Sequence, residues 1–142
     1  MMAILSDGDR KEILKIVGEL AAPVKLVFFT QTFECDSCSD THRLLEELVS
    51  LSEKLSLEVF NFAIDKEKVA EYRIDKIPAT VVEGDRDYGI RIYGPPEGYE
   101  FASLLDTILL VGGRSSALEE TSRTRLTAID KPVHLEVLVT PT

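Results

Sequence analysis

The feature that most constrains this chain is an apolar run, Val24-Lys25-Leu26-Val27-Phe28-Phe29-Thr30, closely followed by the chain's only two cysteines, Cys35 and Cys38. A continuous run of β-branched and aromatic residues fits a strand buried on both faces, as a central sheet strand is. Two cysteines separated by two residues can close a disulfide across one helical turn. A pair set between a strand and a helix is the layout of a thiol–disulfide redox site.

The flanking pattern supplies the rest of the sheet. Ile13, Ile16, Val17 and Leu20 recur at helical spacing and predict an opening helix, closed by Pro23. After the cysteines, Leu44, Leu45, Leu48, Val49, Leu51 and Leu55 form one apolar stripe, which predicts a long helix running to Leu55. Leu57 to Ala63 alternates and predicts a strand, with Glu58 and Asn61 as polar interruptions, and a short helix follows from Lys66 to Tyr72. Ala79 to Val82 reads as a third strand. Gly84-Asp85-Arg86-Asp87 supplies turn residues and Tyr88 to Tyr93 the returning strand, which predicts a hairpin. Phe101, Leu104, Leu105, Ile108 and Leu109 predict a closing amphipathic helix, ended by Gly112-Gly113. The order is helix, then β-α-β-α-β-β-α. It predicts an α/β fold, a central mixed sheet flanked by helices, with an extra N-terminal helix.

Composition narrows the function classes. A net charge of −9 argues against nucleic acid or an anionic membrane as partner, because both would be repelled. The apolar run at the N-terminus is too short for a signal peptide, and acidic residues follow it at once. No stretch approaches the uncharged length of a membrane span. The expected compartment is the cytoplasm, where two neighbouring cysteines are catalytic or metal-binding more often than structural. Asn61 is the only asparagine and Gln31 the only glutamine, and such depletion of thermolabile amides points to a thermophilic source.

A nucleophilic cysteine must be a thiolate, and a helix N-terminus favours negative charge. Cys35 is expected at the start of the helix as nucleophile, with Cys38 one turn in and more buried as the resolving thiol. The local charges oppose this: Glu34, Asp36 and Asp40 crowd the pair, and only Lys25 and His42 are nearby cations in sequence. Anions beside a thiolate raise its pKa. With Ser37, Glu34 and Asp36 are the expected modulators of a relatively reducing or sluggish site. Cys35, Cys38 and His42 could offer three soft metal ligands, but no fourth is apparent. No metal and no bound cofactor are therefore expected. His134 is read as an edge residue of a tail strand.

The tail repeats the front of the chain. Pro132-Val133-His134-Leu135-Glu136-Val137-Leu138-Val139-Thr140 parallels Pro23-Val24-Lys25-Leu26-Val27-Phe28-Phe29-Thr30, and both runs end Thr-x-Thr. Both also follow apolar residues set three and six positions before the proline: Leu20 and Val17 in one case, Ile129 and Leu126 in the other. Ser116-Ala117-Leu118-Glu119 has capping-box spacing for a helix running to about Ile129. The expected organisation is a complete unit over residues 1–112. Residues 113–142 then supply a helix and the strand Val133 to Val139, opening a second unit that stops short of its own cysteines. An apolar terminal strand invites pairing, so a homodimer joined through residues 114–142 is a further expectation.

Proline opening a strand cannot donate to the ladder. With Ile77-Pro78 lying 40 residues beyond Cys38, the sequence resembles the thioredoxin superfamily. That resemblance implies a cis Ile77–Pro78 bond packed against the cysteine pair, with Ile77 and Pro78 binding an extended substrate. The opening helix, the repeat and the stretch from Glu83 to Phe101 are similar to the glutaredoxin-like protein disulfide oxidoreductases of thermophiles, which carry two thioredoxin folds in tandem. The chain departs from thioredoxins in having Phe33-Glu34 before Cys35, Asp36-Ser37 between the cysteines, and Phe28-Phe29 where a buried aspartate is expected. That leaves no proton acceptor assigned to Cys38. The implied function is thiol–disulfide exchange with protein disulfide or dithiol substrates, re-reduced by a flavoprotein dithiol reductase. The alternative is a catalytically weak docking or scaffold module of a two-unit oxidoreductase.

Overall fold

The computed structural model of the chain describes residues 4–113 and 116–140. Its elements are α1 (Asp7–Val17), β1 (Val24–Thr30), α2 (Cys38–Val49), β2 (Leu55–Asn61), α3 (Lys66–Tyr72), β3 (Ala79–Glu83), β4 (Arg91–Tyr93), α4 (Tyr99–Gly113) and α5 (Glu120–Leu126). Strand order is β2-β1-β3-β4, with β2 parallel to β1 and with β3 and β4 antiparallel to their neighbours. A parallel pair needs a crossover, which α2 provides; the antiparallel pair β3–β4 needs only a loop.

Alternation along β1 sorts the core into two layers. Val24, Leu26 and Phe28 face α1, α2 and α4, where Val17, Leu45, Leu48, Leu104 and Ile108 pack on them. Val27 and Phe29 face the other way, toward Tyr72, Ile74, Ala79 and Val81. Phe29 meets the rings of Phe60 and Tyr72 at centroid distances of 5.6 Å each. Helix α1 is secured by a capping box in which the Ser6 hydroxyl accepts from the Asp9 N–H and the Asp9 carboxylate accepts from the Ser6 N–H.

Three expectations are corrected. The stripe from Leu44 to Leu55 is not one helix: α2 stops at Val49, and Leu55 opens β2 beside Val24. The stripe is continuous because the helix and the strand face one core, and the Val24 N–H already donates to the Lys54 carbonyl at 2.9 Å. The returning strand shrinks to Arg91–Tyr93, because Gly89 takes φ +86° and Arg91 is clamped onto Asp87 at 2.7 and 2.8 Å. The glycine pair ends α4 as expected, at Gly113. Gly112 also serves packing: a Cβ there would come within 3.1 Å of Val24 Cγ2, and its carbonyl accepts from the Ala22 N–H. Glycine allows that close approach.

The third correction concerns the tail. Helix α5 starts after Glu119 with no side-chain cap, so the Ser116–Glu119 capping box does not form; the Ser116 hydroxyl accepts from Leu118 instead, at 3.4 Å. Residues 131–140 form no strand, and His134 is no sheet-edge residue. A strand exists only where a neighbour completes its ladder. None does so among the described residues, and Leu135, Val137 and Leu138 stand 85–92% exposed.

A polar cluster closes the α3 face at the N-terminal end of β1. Lys25 Nζ lies 3.1 Å from Glu58 and 3.4 Å from buried Glu83. The Tyr72 hydroxyl donates to Glu83 at 3.2 Å. Burial, and then the charge of Glu83, push the Tyr72 phenol up from 10.0 to about 12. The folded chain therefore favours the neutral phenol. This contribution is constant below pH 10 and is lost as pH rises from 10 toward 12. We expect wild type to lose on the order of 2 kcal/mol more stability than Tyr72→Phe over that interval, as followed by urea unfolding. Identical pH dependence in the two proteins would contradict the cluster.

Candidate redox site

The site grows out of the C-terminal end of β1. Beyond Thr30 the chain turns through residues 31–37 and enters α2 at Cys38. Gln31 Nε2 donates to the Phe33 carbonyl, which folds the loop back on itself. Glu34 takes φ +55°, a left-handed conformation uncommon for a residue with a Cβ, and this sharp turn presents Cys35. Cys35 and Cys38 form a disulfide with their Cα atoms 5.4 Å apart, and the Cys38 N–H donates to the Cys35 carbonyl at 3.3 Å.

Cys38 is 2% exposed, whereas Cys35 is half-buried. The expected difference in access is present. The expected placement on the helix shifts by one turn, however. Cys38 is the first residue of α2, and Cys35 lies in the turn before it. The reason is Ser37, the N-cap, whose carbonyl receives both the N–H and the hydroxyl of Thr41, at 3.1 and 2.7 Å. Its own hydroxyl makes no cap bond. Ser37 thus fixes the helix start through its backbone.

The charges are arranged more sharply than sequence spacing implies. Glu34 and Asp36 are exposed and unpaired among the described residues. Asp40 has Arg43 at 3.4 Å, a neutralising contact that the sequence reading passed over. Lys25 is no neighbour of the cysteines. It sits five residues upstream of Thr30, roughly 16 Å along the strand, and its pKa is raised chiefly by the hydrogen bond to Glu58. His42 is turned away: its Nε2 meets Glu46 at 3.1 Å and its ring lies 5.6 Å from that of Phe28. Among the described residues no group of three potential ligands could hold a metal ion. Phe28 and Phe29 fill the positions below the site and are fully buried.

Strand pairing brings the second half of the site to the cysteines. Ala79 opens β3 directly opposite Phe29. The residues just before it, Ile77 and Pro78, therefore lie beside the loop that leaves β1. The Ile77–Pro78 peptide bond is cis. Pro78 is buried, its carbonyl accepts from the Gly94 N–H at 2.8 Å, and Ile77 packs on the Phe29 layer. A half-buried and a buried sulfur, joined reversibly and flanked by such a loop, can cycle between disulfide and dithiol.

No protein-family model and no curated protein matches the chain. Solved structures do. A protein disulfide oxidoreductase from Aeropyrum pernix K1 superposes with a TM-score of 0.86 at 26% identity, over 96% of this chain and 60% of its own. The chain has a thioredoxin-like fold. It is similar to protein disulfide oxidoreductases. The NTD_N/C domain of alkylhydroperoxide reductase AhpF from Enterococcus faecalis matches with a TM-score of 0.79 at 26% identity, over 89% of this chain and 62% of its own. Fasciola hepatica thioredoxin shares the fold, with a TM-score of 0.55 at 19% identity over 71% of this chain and 92% of its own. The chain thus spans about 60% of the length of the first two structures.

In the reduced protein, the unpaired Glu34 and Asp36 disfavour the Cys35 thiolate. We expect the Cys35 pKa to stay above about 6 by thiolate absorbance, and to fall in the double variant Glu34→Gln, Asp36→Asn. An unchanged pKa in the variant would show that these carboxylates do not tune the site.

Proposed function

We propose that this chain is a thiol–disulfide oxidoreductase unit acting on protein disulfides through Cys35 and Cys38. The observation that carries this reading is the asymmetric pair, with Cys35 accessible and Cys38 buried at the first residue of α2, next to the Ile77–Pro78 loop. The Cys35 thiolate attacks one sulfur of a substrate disulfide. A Cys35–substrate disulfide forms, and one substrate thiolate leaves and takes up a proton. Cys38 then loses its proton and attacks Cys35 Sγ, which releases the second substrate thiolate. The substrate gains two electrons and two protons, and the chain ends as the Cys35–Cys38 disulfide. Ile77 and Pro78 line the approach and hold an extended substrate segment. A dithiol donor returns the chain to the reduced form; by family analogy this is a flavoprotein dithiol reductase. The acidic neighbours suit a reducing role. The reading includes a cytoplasmic setting, supported by the chemistry of a pair that must be kept reduced. It also includes a thermophilic source, supported by the single asparagine and single glutamine.

The tail belongs to the same proposal. The match to the Aeropyrum protein covers 96% of the chain, so it extends past α4 into the region where the sequence repeats. This supports reading residues 113–142 as the opening of a second unit that follows the first, residues 1–112. The exposed Val133, Leu135, Val137, Leu138 and Val139 are then the surface that a second unit covers, or that a second copy covers in a homodimer. Sedimentation with and without residues 114–142 separates these: an unchanged monomer in both cases removes the homodimer.

The enzymatic reading is tested by reduction of insulin disulfides with dithiothreitol as donor. We expect Cys35→Ser to lower the rate at least about 100-fold toward the uncatalysed rate, since the nucleophile is gone. Equal rates for wild type and variant would leave the catalytically weak docking module as the reading.

A further inference from the structure

Among the described residues, Thr41, Thr80 and Glu83 are polar and buried. Two of them are accounted for. The Thr41 hydroxyl donates to the Ser37 carbonyl at 2.7 Å, and Glu83 accepts from the Tyr72 hydroxyl and lies 3.4 Å from Lys25 Nζ. Thr80 is wholly inaccessible, and its hydroxyl has no hydrogen-bond partner. A buried hydroxyl that gives up water and finds nothing in exchange is destabilising, and native cores hold few of them. Valine would occupy the same space with no polar atom to satisfy, and the next two residues of β3, Val81 and Val82, are valines.

The strand register places this hydroxyl under the redox pair. Thr80 stands directly opposite Phe28 on β1 and two residues beyond Pro78. Side chains alternate along a strand and opposed residues share a face, so Thr80 shares with Phe28 and Val82 the face covered by α2 and α4. The Phe28 ring meets that of His42 at 5.6 Å, and His42 is one helical turn beyond Cys38. Cys38, 2% exposed, opens α2 at the end of the sheet where β3 begins. The polar side chains of this turn have partners: Thr41 has Ser37, and His42 has Glu46 at 3.1 Å. In the disulfide, Cys38 Sγ carries neither proton nor charge and is a poor hydrogen-bonding group. Reduction gives it an S–H, and resolving a mixed disulfide gives it a negative charge. A hydroxyl that rotates can accept from the first and donate to the second.

We propose that Thr80 is the polar partner of the reduced Cys38 sulfur, its hydroxyl unmatched in the disulfide form and hydrogen-bonded once the disulfide opens. The inference rests on the thiol–disulfide exchange reading and deepens it, because it gives the buried sulfur a group to answer its proton or charge. Threonine does not take the Cys38 proton; it lowers the cost of holding a polar or charged sulfur in the core. Its hydroxyl therefore favours the dithiol over the disulfide and makes the pair easier to reduce.

The test is the redox equilibrium of the chain's own cysteine pair with dithiothreitol, with urea unfolding of the oxidised and the reduced chain alongside. We expect the disulfide of Thr80→Val to be about tenfold harder to reduce than that of wild type, a potential about 30 mV more negative. Thr80→Ser keeps the hydroxyl and should stay within about twofold of wild type. The unfolding midpoint of Thr80→Val should hold or rise in the oxidised chain and fall in the reduced one, an opposed response that a change of packing alone does not give. Thr80→Ala also lacks the hydroxyl and should shift the potential in the same direction, so it decides the matter if the valine protein does not fold. A wild-type equilibrium in both Thr80→Val and Thr80→Ala overturns the proposal. So does a Thr80→Ser shift as large as that of Thr80→Val, or a midpoint change equal in the two redox forms. None of these readouts uses a protein substrate. Insulin reduction by wild type reports the exchange reading separately: a shifted equilibrium without insulin reduction supports the role of Thr80 and removes the enzyme.

Discussion

Everything at the site depends on the burial of β1 from both faces. Val27, Phe28 and Phe29 are wholly inaccessible, with α1, α2 and α4 on one side and the Tyr72–Ile74 layer on the other. A strand held this way is the stiffest part of a domain, because every apolar contact and every ladder bond opposes its movement. Its C-terminal end is therefore a fixed point from which the cysteine loop departs. Parallel pairing with β2 carries the β2–α3 connection to the same end of the sheet, and antiparallel pairing with β3 brings the start of that strand there too. Three loops distant in sequence thus meet because one strand's neighbours run in opposite senses. This is the ordinary logic of α/β sheets, whose sites form at strand ends.

The same strand sorts the charges. Its N-terminal end holds Lys25 between Glu58 and Glu83 in a nearly closed network. The C-terminal end carries Glu34 and Asp36, both exposed. The basic side chains nearest in sequence have partners of their own: Lys25 has Glu58 and Glu83, and His42 has Glu46. What remains to favour the thiolate is the start of α2, and Cys35 lies a turn before it, where the helix field is already weaker.

Local features were legible in the sequence and cooperative ones were not. The limits of β1 and α3 follow from the residue pattern alone, and so does the difference in access between the two cysteines, because each depends on a short window. The boundary between α2 and β2 could not be read from the apolar stripe, since helix and strand face one core and periodicity reports only the face. Gly112-Gly113 reads as a helix end, and α4 does end at Gly113; only the distance to Leu20 and Val24 reveals Gly112 as a packing contact as well. The tail strand failed for the complementary reason: β propensity is realised only beside a partner, and residues 131–140 have none among the described residues.

The central claim is that Cys35 is the sulfur that meets the substrate and Cys38 the one that releases it. The most direct measurement mixes Cys38→Ser protein with a disulfide-bonded protein such as insulin and maps the trapped adduct by mass spectrometry of non-reduced peptides. The account predicts a disulfide between Cys35 and a substrate cysteine, and none through Cys38 in the Cys35→Ser protein. A Cys38–substrate adduct of comparable yield, or no adduct with either variant, would contradict it.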